Sequence, residues 1–165
     1  MDIQVVRGDI TRQPVEAVVT AANSALRGGG GVDGAVHDAA GPELLRACRA
    51  LAPCPPGSAV VTPAFDLAPV KWVVHAVGPV HSGSPEDPEL LASAYTASLA
   101  RADEVGARSV AFPAISTGVY GYPPEEAAEV SVRALRSART QVERVLLVGF
   151  TERSAQLWRD ALQRQ

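Results

Sequence analysis

The chain contains few of the residues on which several classes of protein depend. Its 165 residues include two cysteines, one methionine and a single lysine, and aromatic residues make up only 5% of it. Two cysteines are too few for a disulfide framework, and no paired C-x-x-C motif offers a zinc site. We therefore expect Cys48 and Cys54 to be reduced thiols in a cytoplasmic protein.

Long apolar runs and an excess of positive charge are also missing. No stretch approaches the roughly 18 consecutive apolar residues of a membrane-spanning helix, and the first residues do not resemble a secretory signal. The formal net charge is −3, which argues against a nucleic-acid surface built on bulk charge. We expect neither a membrane nor a nucleic acid as a partner. With 47% hydrophobic residues, the sequence predicts one domain spanning residues 1–165.

Glycine, in contrast, is concentrated in one place. The run Gly28–Gly31 lies between a predicted strand at 17–22 and a predicted helix at 35–40. Bare backbone N–H groups at the positive end of a helix form a cradle for an anion, most naturally phosphate. Asn23 and Asp33 flank this turn. Each also has a structural interpretation, Asn23 as a turn residue and Asp33 as the cap of the helix.

The rest of the pattern alternates predicted strands with predicted helices, which indicates an α/β layered sheet with mostly parallel strands. In such sheets ligands bind at the carboxyl ends of the strands. Five segments directly follow predicted strands, namely Asp9, Asn23–Asp33, Gly78-Pro79, Ser116–Tyr120 and Phe150. Asp9 is also placed to form a turn or a cap. Together the five segments predict a ligand site on one edge of the sheet.

The helix pattern is clearest in the second half of the chain. One helix is predicted after Ser84 or Asp87, either of which is a suitable cap. Its buried face is predicted to contain Leu91, Tyr95, Leu99 and Ala102. A further helix is predicted to open at Pro124, with acidic residues at its positive end.

Two nucleotide-binding patterns fit the glycine run poorly. Gly29, Gly31 and Gly34 match the spacing G-x-G-x-x-G, but residues 22–28 separate the strand from the glycines. The acidic residue that a dinucleotide site needs about 20 residues further on is missing. No lysine follows the glycines, so a nucleoside-triphosphate P-loop is excluded as well.

Common hydrolase sites are also missing. No G-x-S-x-G elbow is present, and His37, His75 and His81 lack the spacing of metal ligands. His75 lies in an apolar strand, which predicts a core histidine. His37 falls one turn into the helix after Asp33, close to the predicted cradle.

Seven segments, taken in order, resemble those of a known family. They are Gly8–Thr11, Ala21–Asn23, Gly28–Gly34, His37, Ala39–Pro42, His75–Pro79 and Ala111–Pro123. Together they resemble the macrodomain family and, more narrowly, its MacroD-type branch of ADP-ribose hydrolases. The resemblance implies a three-layer α/β/α fold whose central sheet is mixed and mostly parallel. It also implies removal of ADP-ribose from mono-ADP-ribosylated acidic side chains and deacetylation of O-acetyl-ADP-ribose, with no metal or other cofactor.

The resemblance further implies a role for each site residue. Asp9 and the backbone N–H of Ile10 would contact the adenine, with Phe150 facing it. Asn23 would hold the distal ribose, and Asp33 would position or activate the attacking water. The substrate-binding backbone would be that of Ala22, Gly28, Gly29, Gly30, Gly31 and Val32 on one side and of Ser116, Thr117, Gly118, Val119 and Tyr120 on the other.

One position departs from the family pattern. The family usually has Asn-Ala-Ala-Asn where this chain has Thr20-Ala21-Ala22-Asn23. A hydroxyl offers one donor fewer than an amide, so Thr20 either loosens Asn23 and slows turnover or has no effect. A binding module without activity would need only the glycine turn, Asp9 and Phe150. It is therefore the alternative to the hydrolase.

Overall fold

The apolar segments of the chain form the strands of one six-stranded sheet. A computed structural model describes residues 1–165 and places the strands at β1 Asp2–Arg7, β2 Ala17–Ala21, β3 Ala59–Pro63, β4 Trp72–Ala76, β5 Ser109–Phe112 and β6 Arg144–Gly149. Their order across the sheet is β1-β6-β5-β2-β4-β3. All neighbouring pairs are parallel except β3 and β4, which run antiparallel at one edge. The prediction of a mixed, mostly parallel sheet is confirmed.

Helices cover both faces of this sheet. They are α1 Gly31–Ala40, α2 Pro42–Arg49, α3 Asp87–Glu104, α4 Pro124–Ser137 and α5 Glu152–Arg164. Buried residues of α1 and α2 pack on one face, and those of α3, α4 and α5 pack on the other. The three-layer α/β/α architecture is therefore confirmed. None of the helices combines the length and the apolar character that crossing a membrane requires.

The central strand β2 shows why its sequence has no alternation. Val18 belongs to the apolar core beneath α1 and α2, whereas Ala17 and Val19 belong to the core beneath the other three helices. A strand that is covered on both faces needs apolar residues at every position. The four residues predicted to form the buried face of α3 are all at most 1% exposed, which confirms that face.

Two predicted helix caps are wrong. Helix α1 begins at Gly31 rather than Ala35, because the end of the glycine run already winds into its first turn; Asp33 therefore lies inside the helix and does not cap it. Neither Ser84 nor Asp87 caps α3. The cap residue of α3 is Glu86, and the Asp87 carboxylate instead accepts hydrogen bonds from the preceding loop. The predicted start of α4 at Pro124 is confirmed.

Candidate functional site

The five predicted segments meet at one edge of the sheet. Each follows a strand of the parallel set β1, β2, β4, β5 and β6, so the carboxyl ends of these strands share that edge. Strands β1 and β6 are neighbours, and the Gly8 N–H donates to the Gly149 carbonyl over 3.0 Å. This pairing brings Asp9 and Phe150 to adjacent strand ends. The sequence therefore located the edge of the sheet correctly.

The glycine turn presents a row of backbone donors without partners. The N–H groups of residues 28–33 donate no hydrogen bond within the chain, whereas the Gly34 N–H donates to the Gly30 carbonyl over 3.2 Å. Gly29, Gly30 and Gly31 are exposed. The first N–H groups of a helix carry partial positive charge. The turn is therefore suited to hold an anion.

The Asn23 side chain stabilises this turn with two hydrogen bonds. Its Nδ2 donates to the Gly28 carbonyl over 2.9 Å, and its Oδ1 accepts a hydrogen bond from the Arg27 N–H over 3.2 Å. Both ends of the amide are thus engaged by the turn. The turn interpretation of Asn23 is confirmed, and one Nδ2 hydrogen stays free for a ligand.

The turn also depends on the absence of a side chain at Gly34. A Cβ atom on Gly34 would lie 2.4 Å from the Gly29 carbonyl oxygen. Such an overlap is with backbone, which cannot rotate away as a side chain can. Gly34 therefore allows the start of α1 to pack directly against the turn, and this contact sets the direction of the free N–H groups.

A second turn follows β5. The N–H groups of Ser116, Gly118, Val119 and Tyr120 have no partner within the chain. Ser116 adopts a left-handed φ of 69°, and its buried hydroxyl donates to the Pro79 carbonyl over 2.8 Å. The Ser116 hydroxyl is therefore engaged by the segment that follows β4, and the free donor at this position is the backbone N–H.

Two of the predicted backbone donors are not available. The Thr117 N–H donates to the Ala114 carbonyl over 3.5 Å, and the Ala22 N–H donates to the Ala76 carbonyl across the sheet over 2.9 Å. Apolar surface is available instead, since Val119 is 100% exposed and Phe150 is 81% exposed. Large exposed apolar side chains beside unpartnered donors are typical of a ligand cleft.

Asp33 is the buried carboxylate of the site. It is 6% exposed, and its Oδ1 accepts a hydrogen bond from the Thr20 hydroxyl over 2.9 Å. Its Oδ2 accepts no hydrogen bond but keeps contact with solvent. Burial raises the pKa of Asp33, and the bond from Thr20 and the nearby His37 oppose that rise. A carboxylate with a raised pKa and one free oxygen is suited to accept a proton.

Asp9 lies at the far side of the same edge. It caps the short 3-10 turn Ile10–Arg12, and its Oδ1 accepts hydrogen bonds from the Thr11 N–H over 2.9 Å and from the Thr11 hydroxyl. These bonds lower the pKa of Asp9. The cap interpretation is confirmed. The second carboxylate oxygen lies 3.8 Å from Arg12 Nε, beyond hydrogen-bond distance, and the Ile10 N–H makes no backbone hydrogen bond.

Comparison with known proteins decides the family. The family model described as Macro domain matches residues 19–131. This chain belongs to the Macro domain family. An O-acetyl-ADP-ribose deacetylase from Klebsiella pneumoniae (strain 342) is 52% identical to it over 167 residues, which cover 96% of this chain and 95% of the relative. The Streptomyces coelicolor Macro domain-containing protein SCO6450 is 50% identical, covering 92% of this chain and 93% of the relative.

Solved macrodomain structures share the fold. A mutant form of the Oceanobacillus iheyensis macrodomain with ADPR is 39% identical and matches with a TM-score of 0.92 over 97% of this chain and 91% of its own. The Trypanosoma brucei macrodomain in complex with ADP-ribose is 35% identical, with a TM-score of 0.88 over 97% of this chain and 68% of its own.

In this macrodomain, Thr20 acts on a different residue from the one that the sequence indicated. The sequence predicted an effect on Asn23, but the Thr20 hydroxyl donates to Asp33 Oδ1. Thr20 is fully buried at the end of β2. The sequence did contain a signal for the direction of the Thr20 side chain. Side chains alternate along a strand, so Thr20 and Ala22 point to the face opposite Ala21.

The sequence did not predict the cluster of polar side chains that lies behind Asp33. His37 Nε2 lies 3.7 Å from Asp33 Oδ1, and His75 is buried beneath it with Nε2 2.9 Å from Thr62 Oγ1. Burial, and then the neighbouring His37, lower the pKa of His75 to about 3, so this imidazole is neutral. The prediction of a core histidine is confirmed.

Both cysteines are buried free thiols, as predicted. Cys48 Sγ lies 3.7 Å from each ring nitrogen of His75. Burial, and then the charge of Asp33, raise the pKa of Cys48 to about 11. The Cys48 thiol is therefore protonated at neutral pH and is not a ready nucleophile.

Proposed function

We propose that this macrodomain binds ADP-ribose and hydrolyses its esters, which are O-acetyl-ADP-ribose and mono-ADP-ribosylated acidic side chains of proteins. One observation carries the proposal: two turns with unpartnered N–H groups lie at the same sheet edge as a buried carboxylate with a free oxygen. The relative from Klebsiella pneumoniae, named O-acetyl-ADP-ribose deacetylase, supports it. We further propose that residues 1–165 act as a single domain.

Binding would depend on the backbone rather than on basic side chains. The diphosphate would accept hydrogen bonds from the N–H groups of residues 28–33 on one side and from those of Ser116 and 118–120 on the other. Hydrogen bonds to an anion are about twice as strong as neutral ones. With a net charge of −3, the protein offers no bulk positive field, so these local dipoles would supply the attraction.

The position of the diphosphate would determine where the adenine and the distal ribose lie. The adenine would lie at the β1 and β6 ends, where the free Asp9 oxygen accepts from its amino group, the Ile10 N–H contacts the ring and Phe150 packs on its face. The distal ribose would lie near Asn23, whose remaining Nδ2 hydrogen can donate to a hydroxyl. The ester would then project toward Asp33.

The chemistry would need no covalent intermediate. Asp33 accepts a proton from a water molecule as that water attacks the acyl carbon of the ester. The bond between this carbon and the ribose oxygen then breaks, and the proton passes to the departing hydroxyl, which gives ADP-ribose and a free carboxylic acid. General-base assistance typically contributes 10²–10⁴-fold, and orientation of the water adds to it.

The contact between Asp9 and the adenine can be tested with a change to each partner. We expect Asp9→Ala to weaken ADP-ribose binding by about 10- to 100-fold, because a hydrogen bond to a charged group contributes about 1.5–3 kcal/mol. Calorimetry with the hypoxanthine analogue, which lacks the amino group, completes the comparison. The analogue should bind poorly to wild type, with no further loss in Asp9→Ala; equal losses in both proteins would remove the contact. Asp2→Ala, an exposed carboxylate of β1, is the control.

Thr20 should set the pH dependence of turnover. The Thr20 hydroxyl lowers the pKa of Asp33, and Asp33 must be deprotonated to accept a proton. Thr20→Val keeps the shape but removes the donor, so the acid limb of the kcat profile should move to higher pH. Thr20→Ser keeps the hydroxyl and should leave that limb in place. Identical acid limbs in wild type and Thr20→Val would show that Thr20 does not act through Asp33.

One time course distinguishes the hydrolase from a binding module. Wild type and Asn23→Ala are each incubated with O-acetyl-ADP-ribose and with an ADP-ribosylated glutamate peptide. The free ADP-ribose that each protein releases is measured over time. The hydrolase releases ADP-ribose from both esters, and Asn23→Ala releases it more slowly. A protein that binds ADP-ribose in calorimetry but leaves both esters intact is the binding module, and the proposed activity is then wrong.

A further inference from the structure

Three side chains that commonly bind metals meet in the interior behind Asp33. They come from separate elements, His37 from α1, Cys48 from α2 and His75 from β4. Each offers one ligand atom, and these atoms all lie within 4.8 Å of one another. Cys48 and His75 are at most 1% exposed, and the His37 side chain is 14% exposed. His37 therefore connects this buried group with the cleft.

We propose that His37, Cys48 and His75 form a binding site for a single Zn²⁺ ion, which inhibits the protein by engaging Asp33. The inhibition rests on the proposed function, since it assumes that Asp33 accepts the proton from water. The binding of the ion does not depend on it. The proposed mechanism uses no metal, so the bound ion would be an inhibitor and not a cofactor.

The distances suit zinc after a small movement. Zn–N bonds of about 2.0–2.1 Å and Zn–S bonds of about 2.3 Å place the ligand atoms of a tetrahedral site about 3.3–3.8 Å apart. The Sγ of Cys48 already lies 3.7 Å from His75. Since no pair of ligand atoms is more than 4.8 Å apart, the site closes when His37, the least buried of the three, moves inward by about 1 Å.

The surroundings of His75 favour coordination. A metal-bound histidine usually has its other ring nitrogen held by a hydrogen bond, which fixes the tautomer and the ring orientation. Here Thr62 Oγ1 lies 2.9 Å from His75 Nε2. When Nε2 donates to this hydroxyl, the lone pair of Nδ1 is free for the ion. Both Thr62 and His75 are buried, so the ring has little freedom to turn away.

Asp33 becomes the fourth ligand only after its side chain moves toward the ion. Its Oδ1 lies 3.7 Å from His37 Nε2, but its oxygens do not lie within 4.8 Å of all three ligand atoms. Coordination releases the Cys48 proton to solvent, because the thiolate is the ligand form. The two positive charges of Zn²⁺ are then balanced by the Cys48 thiolate and the Asp33 carboxylate. A neutral buried site avoids the cost of an uncompensated interior charge.

The ligand set also selects the kind of ion. A thiolate with two imidazoles suits Zn²⁺ and related soft or borderline ions, whereas Mg²⁺ and Ca²⁺ prefer oxygen ligands. Zinc should therefore bind and magnesium should not. The expected consequence is a hydrolase that is active with a chelator present and is inhibited by low concentrations of free zinc.

Cobalt provides a readout that is independent of turnover. Co²⁺ is added to the chelator-treated protein of residues 1–165, and thiolate-to-cobalt absorption is followed in the near ultraviolet. We expect a band that saturates at one equivalent and disappears when Zn²⁺ displaces Co²⁺. Cys48→Ala and Cys48→Ser should both lack it, and Cys54→Ala, the change at the other buried cysteine, should keep it. No band in wild type, or a band that persists in both Cys48 variants, would overturn the site.

Two further measurements test the link to Asp33. Asp33→Asn should weaken Co²⁺ binding by about tenfold or more, the range seen when a metal site loses a supporting group; unchanged affinity would remove Asp33 from the site. Saturating Zn²⁺ should lower ester hydrolysis more than about tenfold in wild type, reversibly with chelator, but not in Cys48→Ala. Equal inhibition of the two proteins would overturn the inhibitory role. A chelator-treated wild type that hydrolyses neither ester contradicts the proposed function, while the cobalt band still decides the metal site.

Discussion

Asp33→Asn should lower kcat for ester hydrolysis by about 10²–10⁴-fold, the usual contribution of a general base, with a much smaller change in KM. The substitution keeps the size of the side chain and an oxygen that can accept the hydrogen bond from Thr20. It removes the ability to take a proton from water. Because the diphosphate would be held by backbone N–H groups, ADP-ribose binding should be nearly unchanged, and calorimetry can be used to verify this.

The control for Asp33→Asn lies on the same helix. Asp38 is an exposed carboxylate of α1, and Asp38→Asn should leave kcat and KM unchanged. Thermal unfolding supplies a second readout. A buried carboxyl group costs free energy, so Asp33→Asn should be at least as stable as wild type. Undiminished hydrolysis by Asp33→Asn would exclude this carboxylate from the mechanism.

Gly34→Ala should weaken ADP-ribose binding by about 100-fold or more, although it changes a residue that contributes no side chain. The new Cβ would lie 2.4 Å from the Gly29 carbonyl oxygen, so the turn must move. Each hydrogen bond to a charged group is worth about 1.5–3 kcal/mol, and misalignment of two of them accounts for this loss. Calorimetric titration with ADP-ribose measures the effect.

The free energy of unfolding distinguishes a steric clash at Gly34 from the ordinary effect of replacing glycine by alanine in a helix. In an ordinary helix interior, replacement of glycine by alanine stabilises the fold by about 1 kcal/mol. Gly34→Ala should instead reduce the free energy of unfolding. Gly8→Ala is the matched control, since its Cβ would meet only the flexible Gln13 side chain at 3.4 Å. If Gly34→Ala stabilised the protein and bound ADP-ribose normally, the close contact with Gly29 would not shape the site.

The sequence predicted the architecture because each layer has a local signature. Strand β2 is apolar at every position since both its faces are covered, and α3 repeats apolar residues at helical spacing. The start of α1 was misjudged because glycine has a low helix propensity, yet the helix begins at Gly31 and the Gly34 N–H donates to the Gly30 carbonyl. The close packing of Gly34 against Gly29 is a tertiary contact that local preference does not reveal.

Part of the candidate site could be predicted from the sequence, and part of it could not. Asp9, the glycine turn and Phe150 could be located because each follows a strand, and parallel strands end at one edge. The contact between Thr20 and Asp33, and the group formed by His37, Cys48 and His75, could not be located by motif spacing. Their members lie on different elements, so only the packing of those elements brings them together.

In the proposed complex, the two turns would bind a part of the ligand that is the same before and after hydrolysis. The diphosphate, adenine and both riboses remain in ADP-ribose once the ester has been cut, so the released product would keep every contact with the backbone N–H groups. Such contacts bind substrate and product alike and do not lower the barrier themselves. Free ADP-ribose would then act as a competitive inhibitor, and its concentration in the surroundings would govern how fast the protein works.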